Sequence, residues 1–314
     1  MTFVDTHTHL DFANDPVVWI ERAKEAGVNK IICVGTSVEA SRKSVEIAEK
    51  YSTSKDSGQA RMTEKKEMQI YATVGIHAQD GKGDVEKFGG LDKCIDELRK
   101  ILDQAENDKL IVGIGECGFD IHLVASDQRP VTNDEERGFQ KELFEVQIKL
   151  AAELRLPLVV HCRNAWEETF QLLTAYSRQL TANGVFHSWT GDWEAAKRAI
   201  DLGFYISFSG IVTFKNAVDI QDVARRMPLD KMLLETDSPF LTPEPIRSGR
   251  PPKLTSRLSS TIRTRLEERN RRVFRQNEPK NVKIIAQFIA RLRNLPVSQV
   301  ASVTSVNAGR LFSF

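Results

Sequence analysis

The chain has 314 residues, of which 41% are hydrophobic and 28% are charged, and its formal net charge is +1. These values are those of an ordinary globular protein. They exclude a disordered chain, a small disulfide-stapled scaffold and a protein that is basic over its whole surface. No apolar run reaches the roughly 18 residues of a membrane-spanning helix, so we expect no membrane contact. The four cysteines form no CxxC pair, which predicts free thiols and a reducing, cytoplasmic environment.

Short apolar runs alternate along the chain with amphipathic segments of helix length. The predicted strands are residues 3–6, 30–34, 69–76, 110–115, 156–160, 184–187, 204–208 and 231–235. The predicted helices are residues 17–26, 38–51, 91–105, 135–155, 165–180, 193–202, 218–226, 282–292 and 297–311. Eight such βα units predict an α/β protein with a parallel sheet, and eight strands close a (β/α)8 TIM barrel. The alternative is an open doubly wound sheet, which usually has a Gly-rich turn where this chain has His-Thr-His at 7–9.

Two polar segments interrupt this alternation. Residues 52–67 form a polar insertion rich in Ser, Lys and Glu. Residues 247–276 form a basic insertion with ten Lys/Arg and two Asp/Glu, so that this segment carries +8 and the rest of the chain −7. We expect both to be surface insertions on a single domain that spans residues 1–314. The basic insertion fits two roles, contact with nucleic-acid phosphates or a solvated amphipathic helix.

Residues that ligate metals recur where the predicted strands end. They are His7, His9, His77, Glu116, His161, His187 and Asp237. In a barrel these strand ends meet at one mouth. His7 and His9 are two residues apart and therefore face the same side of their strand, whereas His161 and His187 offer donors for a second ion. Nitrogen and oxygen donors of this kind suit Zn, Mn, Fe, Ni or Co better than Mg, and a carboxylate such as Glu116 can bridge two ions.

Several stretches resemble the TatD family of metal-dependent deoxyribonucleases, within the amidohydrolase-like TIM barrels. They are DTHTHLD at 5–11, VGIH at 74–77, GECGFD at 115–120, LPLVVHCR at 156–163, FH at 186–187, LETDSPFL at 234–241 and NAGRLF at 307–312. The resemblance covers nearly the whole chain in the family's order. It implies two divalent ions (Mg, Mn or Zn), one held by His7, His9, Glu116 and Asp237, the other by Glu116, His161 and His187. It also implies that His77 and Arg163 lie near the substrate phosphate.

The function that this resemblance implies is a metal-dependent hydrolase acting as an exonuclease on DNA or another nucleic acid, without an obligate protein partner. Two ions can activate water against a phosphodiester. Asp237 is then a ligand and the general base, and Arg163 offers a planar fork to a phosphate oxygen. The alternative for Arg163 is an ion pair with Glu167 or Glu168. Two other function classes stay open, a hydrolase of carbonyl esters such as aminoacyl-tRNA and a non-enzymatic scaffold.

Other polar and aromatic residues near the predicted mouth are given structural roles. Asp5, Asp11 and Asp120 are expected to form hydrogen bonds around the site or within turns. Trp189 and Trp193 flank the mouth, and each fits either a stacking platform for a base or ordinary packing.

Overall fold

The computed structural model describes residues 1–52, 68–105, 109–123, 131–249 and 276–314. Within them lies one parallel sheet whose strands follow each other in chain order from β1 to β8. The strands are β1 Phe3–Thr8, β2 Val28–Val34, β3 Gln69–Val74, β4 Ile111–Asp120, β5 Leu158–Arg163, β6 Gly184–Phe186, β7 Tyr205–Phe208 and β8 Met232–Leu234. The chain just after β8 returns to β1, because Asp237 N–H donates to His7 O (2.9 Å) and His9 N–H donates to Ser238 O (2.8 Å). This arrangement confirms the predicted (β/α)8 barrel.

The helices alternate with these strands. They are α1 Pro16–Ala26, α2 Val38–Tyr51, α3 Gly81–Phe88, α4 Leu91–Ala105, α5 Asp134–Leu154, α6 Trp166–Tyr176, α7 Trp193–Asp201, α8 Val218–Arg226, α9 Val282–Arg293 and α10 Val297–Phe312. Several begin at a residue whose side chain accepts a hydrogen bond from the first turn, such as Ser37 from Ala40 N–H before α2. None of the helices in the described part of the chain is both long and apolar enough to cross a membrane.

Several elements differ from the sequence prediction, among them one unpredicted helix and two strands at the site. Helix α3 was not predicted, because its glycines disfavour a helix. Strand β4 continues to Asp120 instead of ending at 115, and β5 runs over Leu158–Arg163 instead of 156–160. The two strands remain paired through Asp120 opposite Arg163, and this ladder prolongs both of them. Glu116 and His161 therefore lie inside strands and not after them.

Alternate strand residues belong to two separate apolar clusters. Ile31 and Cys33 pack with the helices, whereas their neighbours Ile32 and Val34 pack into a second cluster. This second cluster also contains Val4, Val112, Val159, Val185 and Leu233 from other strands and Leu311 and Phe312 of α10. Because side chains alternate between the faces of a strand, it fills the inside of the barrel. The polar strand residues lie toward the other end of the barrel, where they form its mouth.

The two predicted insertions fall largely outside the described residues. Of residues 52–67 only Ser52 is described, and its hydroxyl donates to Ile70 O (2.7 Å) and accepts from Ile70 N–H (3.0 Å). Of residues 247–276 the described ones are 247–249 and 276.

Candidate metal centre

Two irregularities of strand pairing orient the central residues of the mouth. The register between β1 and β2 shifts between Asp5 and Thr8, around His7. The register between β4 and β5 shifts between Ile114 and Cys117, around Glu116. Such shifts redirect side chains relative to a regular strand. The side chains of His7 and Glu116 meet inside the barrel, where their nearest nitrogen and oxygen atoms are 3.2 Å apart.

Glu116 lies between two groups of histidines, and its two oxygens face different groups. Oε2 is 3.2 Å from His7 Nε2 and 3.9 Å from His9 Nε2. Oε1 is 2.9 Å from His161 Nδ1 and 2.8 Å from His187 Nε2. Four of the predicted ligands therefore surround the carboxylate of a fifth, Glu116.

Asp237, the sixth predicted ligand, follows β8 and lies next to the first group of histidines, His7 and His9. Its Oδ1 lies 3.3 Å from His9 Nε2 and 3.9 Å from His7 Nε2. The backbone behind it is fixed by Asp5, which accepts hydrogen bonds from Thr236 N–H (2.8 Å) and the Thr236 hydroxyl (2.6 Å). Asp5 thus has the supporting role expected for it, since it joins β1 to the segment after β8.

The donor atoms fit divalent cations. Of the imidazole nitrogens that face Glu116, the buried His7 Nε2 has no hydrogen-bond partner, and buried polar atoms normally have partners. His161 Nδ1 and His187 Nε2 face each other at 2.9 Å, and both face Glu116 Oε1. When two metal–ligand bonds of about 2.1 Å meet at right angles, their donor atoms are about 3 Å apart. In the described part of the chain, four groups of three such residues have ligand atoms within 4.8 Å of one another, and His7–His9–Glu116 and Glu116–His161–His187 are two of them.

The electrostatics of the centre favour an ionised carboxylate among histidines. Burial raises the pKa of Glu116, but the facing histidines, His187 first, outweigh it and hold that pKa well below its usual range. Burial likewise opposes ionisation of Asp237, whose pKa is nevertheless lowered by the His9 contact. Both carboxylates are therefore negatively charged, and this charge is what a divalent cation requires.

Glu235 is a residue of this site that the sequence analysis placed at a strand end without assigning it a role. It is 1% exposed, and its Oε1 accepts a hydrogen bond from Ser188 N–H (2.6 Å) and lies 3.5 Å from His187 Nδ1. A carboxylate behind a metal-binding histidine fixes the orientation of the ring and increases its basicity. The signal that could have found it is its place at the end of a predicted strand, two residues before Asp237.

His77, which the sequence predicts to lie near the substrate, lies next to Glu116. Its Nδ1 accepts a hydrogen bond from Gln79 N–H (3.3 Å), which leaves the proton on Nε2, 3.6 Å from Glu116 Oε1. Burial lowers the pKa of His77 to about 4. The ring is therefore neutral at pH 7 and can donate a hydrogen bond from Nε2 into the mouth.

Arg163 has a different partner from the one considered in the sequence. It does not pair with Glu167 or Glu168, which bind Arg198 and Arg137. Instead its Nε is 2.5 Å and its Nη2 2.8 Å from the two oxygens of the buried Asp120. The sequence prediction considered only partners close to Arg163 in the chain. Asp120 becomes its neighbour through the pairing of β4 with β5. The guanidinium of Arg163 is held at the mouth of the barrel, and 45% of this side chain is exposed.

A cavity of about 560 Å³ opens above these residues. Its lining includes seven of the eight predicted site residues, all except His7, together with Phe12 and Phe240. The two tryptophans predicted near the mouth do not line it. Trp189 is buried against Trp166 (ring centroids 4.5 Å), and Trp193 packs under the guanidinium of Arg226. Two roles were considered for these tryptophans, base stacking and ordinary packing, and both residues have the packing role.

The comparisons with known proteins agree with this geometry. A family model described as TatD related DNase matches residues 4–313. The chain is 33% identical over 311 residues to the "Uncharacterized metal-dependent hydrolase YabD" of Bacillus subtilis, with 98% of each chain covered. It is 28% identical over 306 residues to the "3'-5' ssDNA/RNA exonuclease TatD" of Shigella flexneri, with 97% of this chain and 95% of the relative covered. The crystal structure of YJJV, a TatD homolog from Escherichia coli, aligns with a TM-score of 0.74 at 25% identity, over 99% of this chain and 98% of that one. The chain therefore belongs to the TatD-related DNase family of metal-dependent hydrolases.

Proposed function

We propose that this protein is a nuclease that hydrolyses phosphodiester bonds at the end of a DNA strand with two divalent ions. The observation that carries the proposal is the position of Glu116, whose two oxygens face separate groups of histidines. A carboxylate placed in this way is suited to bridge two ions. Paired ions are typical of enzymes that cleave phosphodiesters. The names of the relatives, an exonuclease on single-stranded DNA and RNA among them, support the same substrate class.

The proposed ligands divide into two sets that share Glu116. One ion would be held by His7, His9, Glu116 and Asp237. The other would be held by Glu116, His161 and His187. The mixture of imidazole and carboxylate donors suits Zn²⁺ or Mn²⁺, and Mg²⁺ is a further candidate because hydrolysis of phosphate esters often uses it.

The chemistry that bound divalent ions supply is a lowered pKa for the attacking water and positive charge beside the phosphate. Asp237 is the proposed general base, because its lowered pKa keeps the carboxylate ionised and an ionised carboxylate can accept a proton from that water. Arg163 holds a non-bridging phosphate oxygen, since Asp120 fixes its guanidinium at the mouth. The neutral His77 donates from Nε2 to the phosphate or to the leaving oxygen.

The experiment that tests the function is a degradation assay on purified protein. Single and double DNA strands labelled at the 3′ or the 5′ end are incubated with Mg²⁺, Mn²⁺ or Zn²⁺, beside an aminoacyl ester of tRNA. We expect stepwise shortening of labelled DNA with at least one metal and slower hydrolysis of the carbonyl ester. Ester hydrolysis without any cleavage of nucleic acid would contradict the proposal and favour the carbonyl hydrolase.

The bridging role of Glu116 has its own test in metal content. We expect Glu116→Ala to lose both ions, because both sets contain this residue, and His187→Ala to lose mainly one. Metal content is measured on both variants after equilibration with the same metal. Exposed Glu194→Ala serves as the control and should keep the wild-type content. Equal losses in Glu116→Ala and His187→Ala would refute a bridge.

We also propose that residues 1–314 form a single domain that works in the cytoplasm. The family model covers nearly the whole chain, which supports a single unit. All four cysteines are buried and unpaired, as predicted, and free thiols are typical of proteins in a reducing compartment.

A further inference from the structure

Two exposed phenylalanines stand at the mouth of the barrel. Phe12 is 54% exposed and Phe240 is 48% exposed, and among the aromatic residues that the structure describes no other is exposed to this degree. Both line the cavity above the metal centre. Elsewhere in the described chain the large aromatic rings are at least partly covered by the core. Exposure of two such rings at one place, beside a polar site, indicates a surface for a ligand.

The two rings form one continuous apolar surface with an imidazole of the centre. Their centroids are 5.7 Å apart, and each ring meets His9 edge to face, at 5.9 Å for Phe12 and 5.7 Å for Phe240. Packing of this kind fixes the rings relative to one another. The pair is therefore an ordered aromatic wall and not two independent side chains.

The backbone ties each ring to a proposed metal ligand. Phe12 N–H donates to His9 O (3.2 Å), and Phe240 N–H donates to Asp237 O (2.8 Å). A third residue, Asn277, supports the turn that carries Phe240, since its Nδ2 donates to Phe240 O (2.6 Å) and Thr236 O (2.7 Å). The distance from the aromatic wall to the metal centre is consequently set by the fold.

The aromatic wall lies across the mouth from the phosphate-binding residues. Phe12 follows β1 and Phe240 follows β8, whereas Arg163 ends β5 and its partner Asp120 ends β4. In a barrel of eight strands in chain order, β1 and β8 are opposite β5 and β4. The cavity thus has the guanidinium of Arg163 on one side and an apolar wall on the other, with the metal centre between them.

We propose that Phe12 and Phe240 form a stacking platform for one unpaired nucleobase next to the scissile phosphate. This inference rests on the proposed nuclease function and adds to it a base-binding subsite. Aromatic rings bind bases of any identity, because every base has a π face, so the subsite anchors a strand without reading its sequence. A base within a duplex has its faces covered by its neighbours, so the platform selects single strands or frayed ends.

The test measures binding of an oligonucleotide that resists hydrolysis. The probe is hexathymidylate with phosphorothioate linkages in Mn²⁺ buffer, compared with a series in which one nucleotide at a time is abasic. For the wild type we expect one position at which loss of the base weakens binding by about tenfold, the effect of losing one stacked base. In the double variant Phe12→Ala/Phe240→Ala, binding of the intact probe should weaken by a similar factor, and the abasic position should cause no further loss.

The controls separate an aromatic effect from a general one. Phe240→Trp keeps a π face and should restore the discrimination against the abasic probe when Phe12 is intact. Leu154→Ala removes an exposed apolar side chain at the end of α5, on the far side of the barrel, and should bind like the wild type. Metal content of each variant, measured in parallel, shows that the centre itself is intact.

The outcomes decide the platform and the nuclease function separately. If the double variant still discriminates against the abasic probe, another residue stacks the base and the platform is refuted. If the wild type binds the intact and abasic probes equally, or binds neither, the platform is also refuted. Cleavage of labelled DNA in the degradation assay would leave the nuclease function standing in each of these cases, and its absence would remove that function as well.

Discussion

The contact between Glu235 and His187 provides the sharpest single test of how the centre is built. We consider the substitution Glu235→Gln. Glutamine has nearly the same shape, and its amide oxygen can keep the hydrogen bond from Ser188 N–H (2.6 Å). The loop after β6 should therefore stay in place. The change removes the negative charge that lies 3.5 Å from His187 Nδ1.

The expected loss follows from the strength of charged and neutral hydrogen bonds. A hydrogen bond to a charged group contributes about 1.5–3 kcal/mol and one between neutral groups about 0.5–1.5 kcal/mol. The substitution therefore costs about 1–1.5 kcal/mol, and 1.4 kcal/mol is a factor of about ten. Carboxylates behind metal-binding histidines change metal affinity by about 10- to 100-fold, which is compatible with this value. We expect about tenfold weaker binding of the ion held by His187, and little change for the ion held by His9 and Asp237.

The assay is a competition titration of Zn²⁺ or Mn²⁺ between the protein and a chromophoric chelator, with metal content measured at saturation. Glu194→Gln, on the exposed side of α7, is the matched control. Unchanged affinity in Glu235→Gln would show that the carboxylate does not support His187. Complete loss of an ion would show something different, namely that Glu235 is itself a ligand, an arrangement that its position near His7 and His187 also permits.

Three further predictions test other parts of the molecule. Arg163→Lys keeps the charge but loses the planar fork, and it should lower kcat/KM on DNA by about tenfold without changing metal content, which steady-state kinetics and metal analysis would check. Burial raises the pKa of Cys33 to about 12 and of Cys94 to about 11, so neither of these thiols should react with a disulfide reagent in the native protein, and both should react after unfolding. Phe312 belongs to the apolar cluster that fills the inside of the barrel. Phe312→Ala should therefore destabilise the fold by about 3–5 kcal/mol in a denaturant titration, while the metal affinity of the remaining folded protein is unchanged.

The sequence predicted that the candidate ligands converge at one mouth, because a βα repeat shows where its strands end. Polar metal-binding residues interrupt apolar runs at a regular interval, and the barrel brings these points together. The same reasoning failed at the ends of β4 and β5, where Glu116 and His161 were taken to follow the strands. Pairing with a neighbouring strand extends a ladder through polar residues that face the barrel, and local composition contains no information on that pairing.

The aromatic residues show a second limit of sequence reasoning. Trp189 and Phe240 both follow a strand at the mouth, and only the tryptophan was considered as a stacking platform. In the structure Trp189 is 1% exposed and Phe240 is 48% exposed. The difference arises from packing, because the ring of Trp189 turns back against Trp166 and donates from its indole nitrogen to Gly191 O (2.7 Å). Which of two aromatic residues a fold covers depends on neighbours distant in sequence.

Most of the basic insertion, residues 250–275, lies outside the described structure, and its role is therefore a question for experiment. Its charge of +8 stands against −7 for the rest of the chain. Its described flanks lie beside the mouth: Arg247 stacks on Phe214, and Asn277 is bonded to the turn of Phe240. We therefore expect the insertion to attract the nucleic-acid backbone without taking part in the chemical step.

The test is the salt dependence of binding and of KM for single-stranded DNA. Each phosphate contact releases counterions and adds about −0.7 to the slope of log affinity against log salt. The variant replaces four arginines by serine at positions 263, 265, 271 and 272, and it should flatten this slope and raise KM while leaving kcat nearly unchanged. The control replaces Lys24, Lys109, Arg155 and Arg178 by serine, which removes equal charge near the opposite end of the barrel, where helices lead into strands. Equal slopes in the two variants would mean that net charge alone attracts the strand. A wild-type slope in the first variant would mean that the insertion makes no contact with the backbone, because counterion release then comes from other residues.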